Sequence, residues 1–259
     1  LDTVFPVLHG KNGEDGTLQG LMELMNIHCV GCDALASAMI MDKEITHIML
    51  DAQGIPTAKY VCLKAGIPFS AEEILDTLPL PWIVKPCNAG SSYGVHKVES
   101  LEEFDEAVRD AFKWDGRGKV LVEECIPGFE IGCAVMGNRE PFAGAVDEIE
   151  IHGGIFDFEG KYEMKDSAIY CPARITPAKT EEARALATAA YQAMGCTGFT
   201  RVDMFLQPDG RILINELNTI PGMTATSRYP SMMAEAGVTF GRLLQDLISL
   251  SLEKEVGQC

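Results

Sequence analysis

The stretch over residues 198–230, GFTRVDMFLQPDGRILINELNTIPGMTATSRYP, constrains this chain most. Residues 201–207 and 211–217 are rich in β-formers, and Pro208-Asp209-Gly210 between them is a turn signal, so the stretch predicts a hairpin. With Gln207 opposite Ile212, an antiparallel register sets Asp203 opposite Glu216. Residues two apart on a strand share a face, so Asn218 joins Glu216. Two carboxylates and an amide oxygen then converge. Like charges directly opposite on a sheet are unfavourable. A hard cation such as Mg²⁺, bound through oxygen and shared with substrate phosphates, would neutralise them. The plainer alternative is a hairpin with acidic residues on a solvated face. The turn Pro221-Gly222-Met223-Thr224 weighs against it, because such a turn leaves backbone N–H groups to point at an anion.

The 259 residues suffice for one large domain or two to three small ones, and 47% are hydrophobic, enough for a sizeable core. Net charge is −17 without a basic run, which argues against nucleic acid and anionic membrane surfaces as partners. No apolar run reaches the ~20 residues that span a bilayer, and no signal peptide is legible. The cysteine count of nine is odd, and Cys62, Cys125 and Cys133 sit inside apolar runs. That usage reads as reduced thiols of a cytoplasmic protein, not a disulfide frame or a zinc site. Residues 1–8 read as a strand, and the natural protein is expected to have residues before Leu1.

Along the chain, a strand over 3–8 is followed by a loop with His9 at its start, where α/β sheets bind ligands. A helix follows with Leu18, Leu21, Met22 and Met25 on one face. Further helices are expected over 35–41 and from about Pro56, a favoured first helical position. Residues 80–86 form a buried strand carrying Lys85. Asn88-Ala89-Gly90-Ser91-Ser92-Tyr93-Gly94 is then a glycine- and hydroxyl-rich flap, with a return strand over 95–98. It is not a P-loop, since its lysine precedes the glycines. It can still cover phosphates with its N–H groups, or be a plain hairpin turn. A helix over 101–112 is amphipathic. Strands over 120–128 and 129–136 bring Glu123 and Glu130, each a candidate for an adenine amine or a ribose, or a solvated strand-end residue. A strand over 143–151 leads into the polar stretch 153–171, whose length suits an active-site lid. Helices over 181–194 and 239–252 face the core, the second with Phe240, Leu243, Leu244, Leu247 and Ile248.

Taken together, LHGKNGEDGTLQG, MDK, IVKPCNAGSSYG, VLVEECIPGFE, FDFEGKY and TRVDMFLQPDG…NELNTIPGMT resemble the D-alanine–D-alanine ligases in family order over essentially the whole chain. The resemblance implies an α/β (α+β) ATP-grasp fold with the remnant of a Rossmann-like N-terminal domain. Residues 1–31 would end that domain, 32–123 would be the central subdomain, and 124–259 the C-terminal one. It implies that Lys43, Lys85 and Lys161 hold ATP phosphates, with Ser92 of the flap beside them. Glu123 would face the adenine amine, the backbone near Glu124 and Ile126 its edge, Phe205 its face, and Glu130 the ribose. Asp203, Glu216 and Asn218 would hold two Mg²⁺ ions, with Mn²⁺ as a substitute. Arg201 and the Gly222 N–H would stabilise the oxyanion. Ser91 and Tyr162 would close over the first substrate, His9 would meet it, and Ser227 would bind the carboxylate of the second. A homodimer is implied as well.

Two positions depart from the plain pattern. Arg228 stands where an apolar residue follows the serine, and Phe156 stands where the lid motif begins with Tyr. Both resemble the vancomycin-resistance D-alanine–D-serine ligases, so the expected partners are D-alanine and D-serine, or a second D-alanine. Arg228 could instead point to solvent. The glutamate that binds the first substrate's ammonium in the family has no counterpart here. An ATP-binding protein without ligase turnover is therefore the third expectation.

Overall fold

The computed structural model describes residues 1–151 and 167–253. β1 (Thr3–Val4) pairs in parallel with β2 (His28–Cys29), and α1 (Thr17–Leu24) lies between them in sequence. Next come α2 (Ala34–Met41), α3 (Lys43–Ala52), β3 (Tyr60–Lys64), α4 (Ala71–Leu75), β4 (Trp82–Pro86), β5 (His96–Val98), α5 (Leu101–Trp114) and β6 (Lys119–Glu124). These strands form an antiparallel sheet in the order β3-β6-β4-β5. A second antiparallel sheet, β11-β10-β7-β8-β9, is built from β7 (Phe129–Met136), β8 (Phe142–Ile151), β9 (Ser167–Tyr170), β10 (Phe199–Leu206) and β11 (Ile212–Asn218). Three further helices complete it: α6 (Pro177–Ala193), α7 (Arg228–Glu235) and α8 (Phe240–Leu252).

Helix starts follow local chemistry. Asp33, Asp42, Ser70, Thr176 and Thr239 each accept a bond from a first-turn amide of α2, α3, α4, α6 and α8, meeting donors that have no partner inside the helix. Pro177 occupies the first turn of α6. Alternation along β10 sets what lies where. Val202, Met204 and Leu206 enter the core with Ala183, Ala187 and Ala190 of α6. Arg201, Asp203 and Phe205 therefore take the opposite face. The four-stranded sheet packs on α5 through Phe104, Ala107, Val108 and Ala111, with Phe104 edge-on to Trp82 at 5.2 Å.

Several expectations need correction. The helix near Pro56 is instead α3, and the Pro56 carbonyl accepts from Ile214 N–H in a bridge to β11. The first strand is two residues, not six. On α1 the buried residues are Gln19 and Met22, while Leu21 and Met25 are exposed. Gln19 is drawn inward because its amide donates to the Gly13 carbonyl at 2.8 Å. Phe240 and Ile248 of α8 are also exposed. The hairpin register is Leu206 opposite Ile212, one step from the expected pairing. An irregularity between Asp203 and Met204 skips Asn215 and restores Asp203 to its place opposite Glu216. No helix among the described residues is long and apolar enough to cross a membrane.

Candidate functional site

The site is built on the open face of the β10–β11 hairpin. Asp203 and Glu216 are cross-strand partners, as are Arg201 and Asn218. Arg201 grips Asp203 through Nε to Oδ1 at 2.8 Å and Nη2 to Oδ2 at 2.7 Å. The Asn218 amide donates to Asp203 Oδ2 at 2.8 Å. Glu216 and Asn218 line a cleft with Glu14, Lys43, His47, Ala89 and Gly90. Asp203 sits behind them, 1% exposed. All three candidate ligands offer oxygen, which suits a hard cation completed by substrate oxygens. Among the described residues, no group of three or more His, Cys, Asp or Glu side chains converges as a metal site, so the described part of the site offers two carboxylates and one amide.

Three lysines were expected on the phosphates. Lys43 opens α3 and its ammonium donates to the Ala89 carbonyl at 2.8 Å, beside the flap. Burial pushes its pKa down, opposed by the charge of Glu216. In the flap, Ser91 and Ser92 adopt φ of 56° and 58°, left-handed backbone of the kind from which anion-binding nests are built. The flap is tied at both ends. The Asn88 N–H donates to Asp115 at 2.7 Å, and Tyr93 stacks on Trp114 at 4.8 Å. Lys85 pairs with Glu123 at 2.7 Å. Lys161, Tyr162 and Phe156 lie outside the described residues.

Glu123 accepts from both Lys85 and His47, each at 2.7 Å. Burial pushes its carboxyl up, but the Lys85 charge and the His47 hydrogen bond outweigh that and hold it at about 2, against an ordinary 4.5. The folded pKa is depressed, so the stabilisation is complete above about pH 4.5 and is lost as pH falls towards 2. Acid unfolding followed by circular dichroism should therefore steepen in that window. Glu123→Gln should flatten the acid limb and lower neutral-pH stability, because Lys85 loses its counter-charge; an unchanged acid limb would contradict this. At the neighbouring position, the Glu124 N–H donates to the Lys59 carbonyl, while its carboxylate accepts from Lys59 N–H. The Cys125 N–H, between Glu124 and Ile126, donates to the Pro81 carbonyl.

Phe205 and Glu130 are opposite one another on β10 and β7. Glu130 accepts from Arg228 Nη1 at 2.7 Å. Arg228, the first residue of α7, reaches back over the sheet and its side chain is 9% exposed, so it does not point to solvent. Its Nε and Nη2 each donate to Asp147 at 2.8 Å, and Nη1 lies 3.3 Å from Asp203. Gly132 makes the approach possible: a Cβ there would collide with Arg228 Nη2 and lie 2.7 Å from Asp147 Oδ1. Gly132→Ala should cost about 1–3 kcal/mol, the usual range for overpacking, and a melting curve matching wild type would contradict the reading. Ser227, the N-cap of α7, sits in a turn where its Oγ is 3.0 Å from Thr224 N and 2.8 Å from Thr224 Oγ1. A Cβ on Gly222 would lie 2.7 Å from that Oγ, so glycine is required for this approach. A helix N-terminus with a hydroxyl at its mouth suits a carboxylate.

His9 is exposed in its loop. Nearby Glu14 accepts from Gly10 N–H, and burial raises its pKa, with the charge of Glu216 acting the same way. Glu14, His47 and Asp147 were not singled out from sequence. His47 could have been found at four residues from Lys43 on one helix face, and Asp147 as an acid inside the apolar strand AVDEIEI. Cys29 and Cys32 have C-x-x-C spacing, and both are buried and outside any disulfide.

The sequence profile described as D-ala D-ala ligase C-terminus matches residues 49–249, and that of the D-ala D-ala ligase N-terminus matches residues 1–32. The chain belongs to the D-alanine–D-alanine ligase family. VanB, a vancomycin B-type resistance protein of Enterococcus faecalis, is 43% identical over 98% of this chain and 74% of its own length. A D-alanine–D-alanine ligase of Oceanobacillus iheyensis is 42% identical over 98% of this chain and 70% of its own length. The VanG D-Ala:D-Ser ligase structure from Enterococcus faecalis superposes with a TM-score of 0.89 at 49% identity, covering 97% of this chain and 73% of that one. A D-alanine–D-alanine ligase structure from Coxiella burnetii gives 0.88 at 34% identity, covering 98% of this chain and 68% of that one. The expected ATP-grasp fold and ATP-dependent ligase class are those of this D-alanine–D-alanine ligase family.

Proposed function

We propose that the chain joins D-alanine to a second D-amino acid, D-serine in preference, using ATP through an acyl-phosphate intermediate, for cell-wall precursors in the cytoplasm. In this reading ATP lies between the two antiparallel sheets, with Lys43, Lys85 and the 88–94 flap on its phosphates. Residues 1–31, 32–123 and 124–259 are then the end of a Rossmann-like N-terminal domain, the central subdomain and the C-terminal subdomain, in a homodimer. A carboxylate is a poor electrophile, so the γ-phosphoryl group is first transferred to D-alanine's carboxylate oxygen. Mg²⁺ held by Asp203, Glu216 and Asn218 supplies charge neutralisation at the phosphates when bound. The amine of the second substrate then displaces phosphate. Arg201 and the Gly222 N–H face the developing oxyanion, a role worth roughly 3–4 kcal/mol for one good donor.

Arg228 carries the serine preference. It follows Ser227, where the second carboxylate is proposed to bind, and its fork is locked in one orientation by Asp147. Three of its five N–H donors are committed to Asp147 and Glu130. The rest of a fixed guanidinium can meet a hydroxyl, which an apolar residue would leave unpaired. The second reading is a D-alanine–D-alanine ligase, supported by relatives of that name at 42% identity. Equimolar D-alanine and D-serine with ATP, and product masses read after one hour, decide between them. Mostly D-alanyl-D-serine is expected; mostly D-alanyl-D-alanine selects the second reading; ADP release independent of D-alanine overturns both.

A further inference from the structure

We infer that His47 is a positioning residue that sets nucleobase selectivity, by pinning the Glu123 carboxylate so that it accepts from a purine with an amine at the six-position, as in adenine, and repels one with a carbonyl there. The inference rests on the reading of Glu123 as the group that faces the base.

His47 lies one helical turn after Lys43 on α3 and is 4% exposed. Its Nε2 is 2.7 Å from Glu123 Oε1, while Lys85 Nζ is 2.7 Å from Oε2. The two carboxylate oxygens are thus held by two different elements. An ionised carboxylate only accepts, so the hydrogen of that bond belongs to Nε2. The other ring nitrogen, Nδ1, is 2.9 Å from Thr57 Oγ1, and that hydroxyl lies 3.2 Å from Asp51 Oδ1. Thr57 bridges to Ile214 of β11, so the imidazole is anchored to the second sheet as well. The Tyr60 ring lies at 4.4 Å, on the strand residue opposite Glu123. With both sides of the ring bonded, rotation of Glu123 would break the His47 bond.

The chemical consequence is a filter. A fixed carboxylate accepts from the amine of adenine, whereas the carbonyl of guanine at the same position would place acceptor against acceptor. A buried polar group left facing the wrong partner discriminates strongly, by up to about 10⁴-fold for a lost hydrogen bond. A loosened Glu123 can swing away and tolerate the carbonyl.

Direct calorimetric binding of Mg-ADP and Mg-GDP tests this without turnover, on wild type, His47→Phe, His47→Gln and Thr57→Val. His47→Phe keeps a ring against Tyr60 and removes both bonds; His47→Gln keeps a donor towards Glu123. Wild type should favour ADP by at least about 100-fold. His47→Phe should shrink that ratio at least about tenfold, Thr57→Val by a smaller factor, and His47→Gln should hold it within about threefold. Should His47→Phe prove unfolded in a thermal melt, Thr57→Val still decides: a reduced ratio supports the proposal and a wild-type ratio overturns it. Wild-type ADP:GDP ratios in folded His47→Phe and Thr57→Val, with only their melting temperatures changed, would make His47 a packing residue and overturn the proposal alone. If wild type binds neither nucleotide, the nucleotide reading itself falls and this proposal with it.

Discussion

Glu216→Gln should leave the fold intact and lower kcat for ADP formation by at least about 10²-fold. Glu216 faces the cleft beside Lys43 and Glu14, opposite Asp203 across the hairpin. The amide keeps the shape and removes one negative charge from beside the Glu14 carboxylate and opposite Asp203. Self-repulsion falls, so the melting temperature should hold or rise slightly. What is lost is the negative charge that a cation needs there if the transferring phosphoryl group is to be neutralised. Single-turnover ADP formation at saturating Mg²⁺ measures it. An unchanged rate would make Glu216 an ordinary cleft residue.

Arg228→Leu should be the most destabilising single substitution at the site, by about 3–5 kcal/mol. Asp147 is fully buried, Glu130 nearly so, and Arg228 neutralises both. Leucine in its place leaves a buried charge without a partner. The effect on D-serine selectivity is therefore masked in the single variant by loss of fold. Arg228→Leu with Asp147→Asn removes that cation and one of its anions together and should recover part of the stability, the Glu130 pair remaining lost. That double variant should then favour D-alanine at the second position. Equilibrium urea unfolding gives the first quantity and product masses the second. Additive destabilisation by the two substitutions would contradict the pairing, since contacting residues are expected to couple.

How much of this was legible in sequence depended on whether chemistry was local. The hairpin was, because turn residues and strand alternation lie within twenty residues, and Asp203 opposite Glu216 followed. That pairing holds by compensation: the turn is one residue tighter than expected, and the extra Asn215 restores it. Bulges of this kind leave no mark in hydrophobic alternation. Core helices α5 and α6 were legible from their 3.6-residue period. On α1 and α8 that same period misplaced Leu21, Met25, Phe240 and Ile248, because it marks an apolar face without saying whether anything covers it. The ion pairs of the site were not legible at all. Lys85 with Glu123, His47 with Glu123, and Arg228 with Asp147 join residues 38, 76 and 81 positions apart. Only packing of the sheets and helices brings such partners together. The functional roles expected of Glu123, Glu130 and Arg228 each pictured one residue meeting a ligand. In the structure the three are already bound to other side chains, so a ligand there would meet networks.

The central claim is that this site activates the carboxylate of D-alanine by phosphorylating it. Oxygen-18 in that carboxylate tests it most directly, because the oxygen that attacks the γ-phosphorus leaves with phosphate when the amine displaces it. With ¹⁸O-labelled D-alanine, unlabelled second substrate and ATP, mass spectrometry should find one ¹⁸O in the inorganic phosphate for each ADP formed. Phosphate without label, alongside dipeptide formation, would contradict the account.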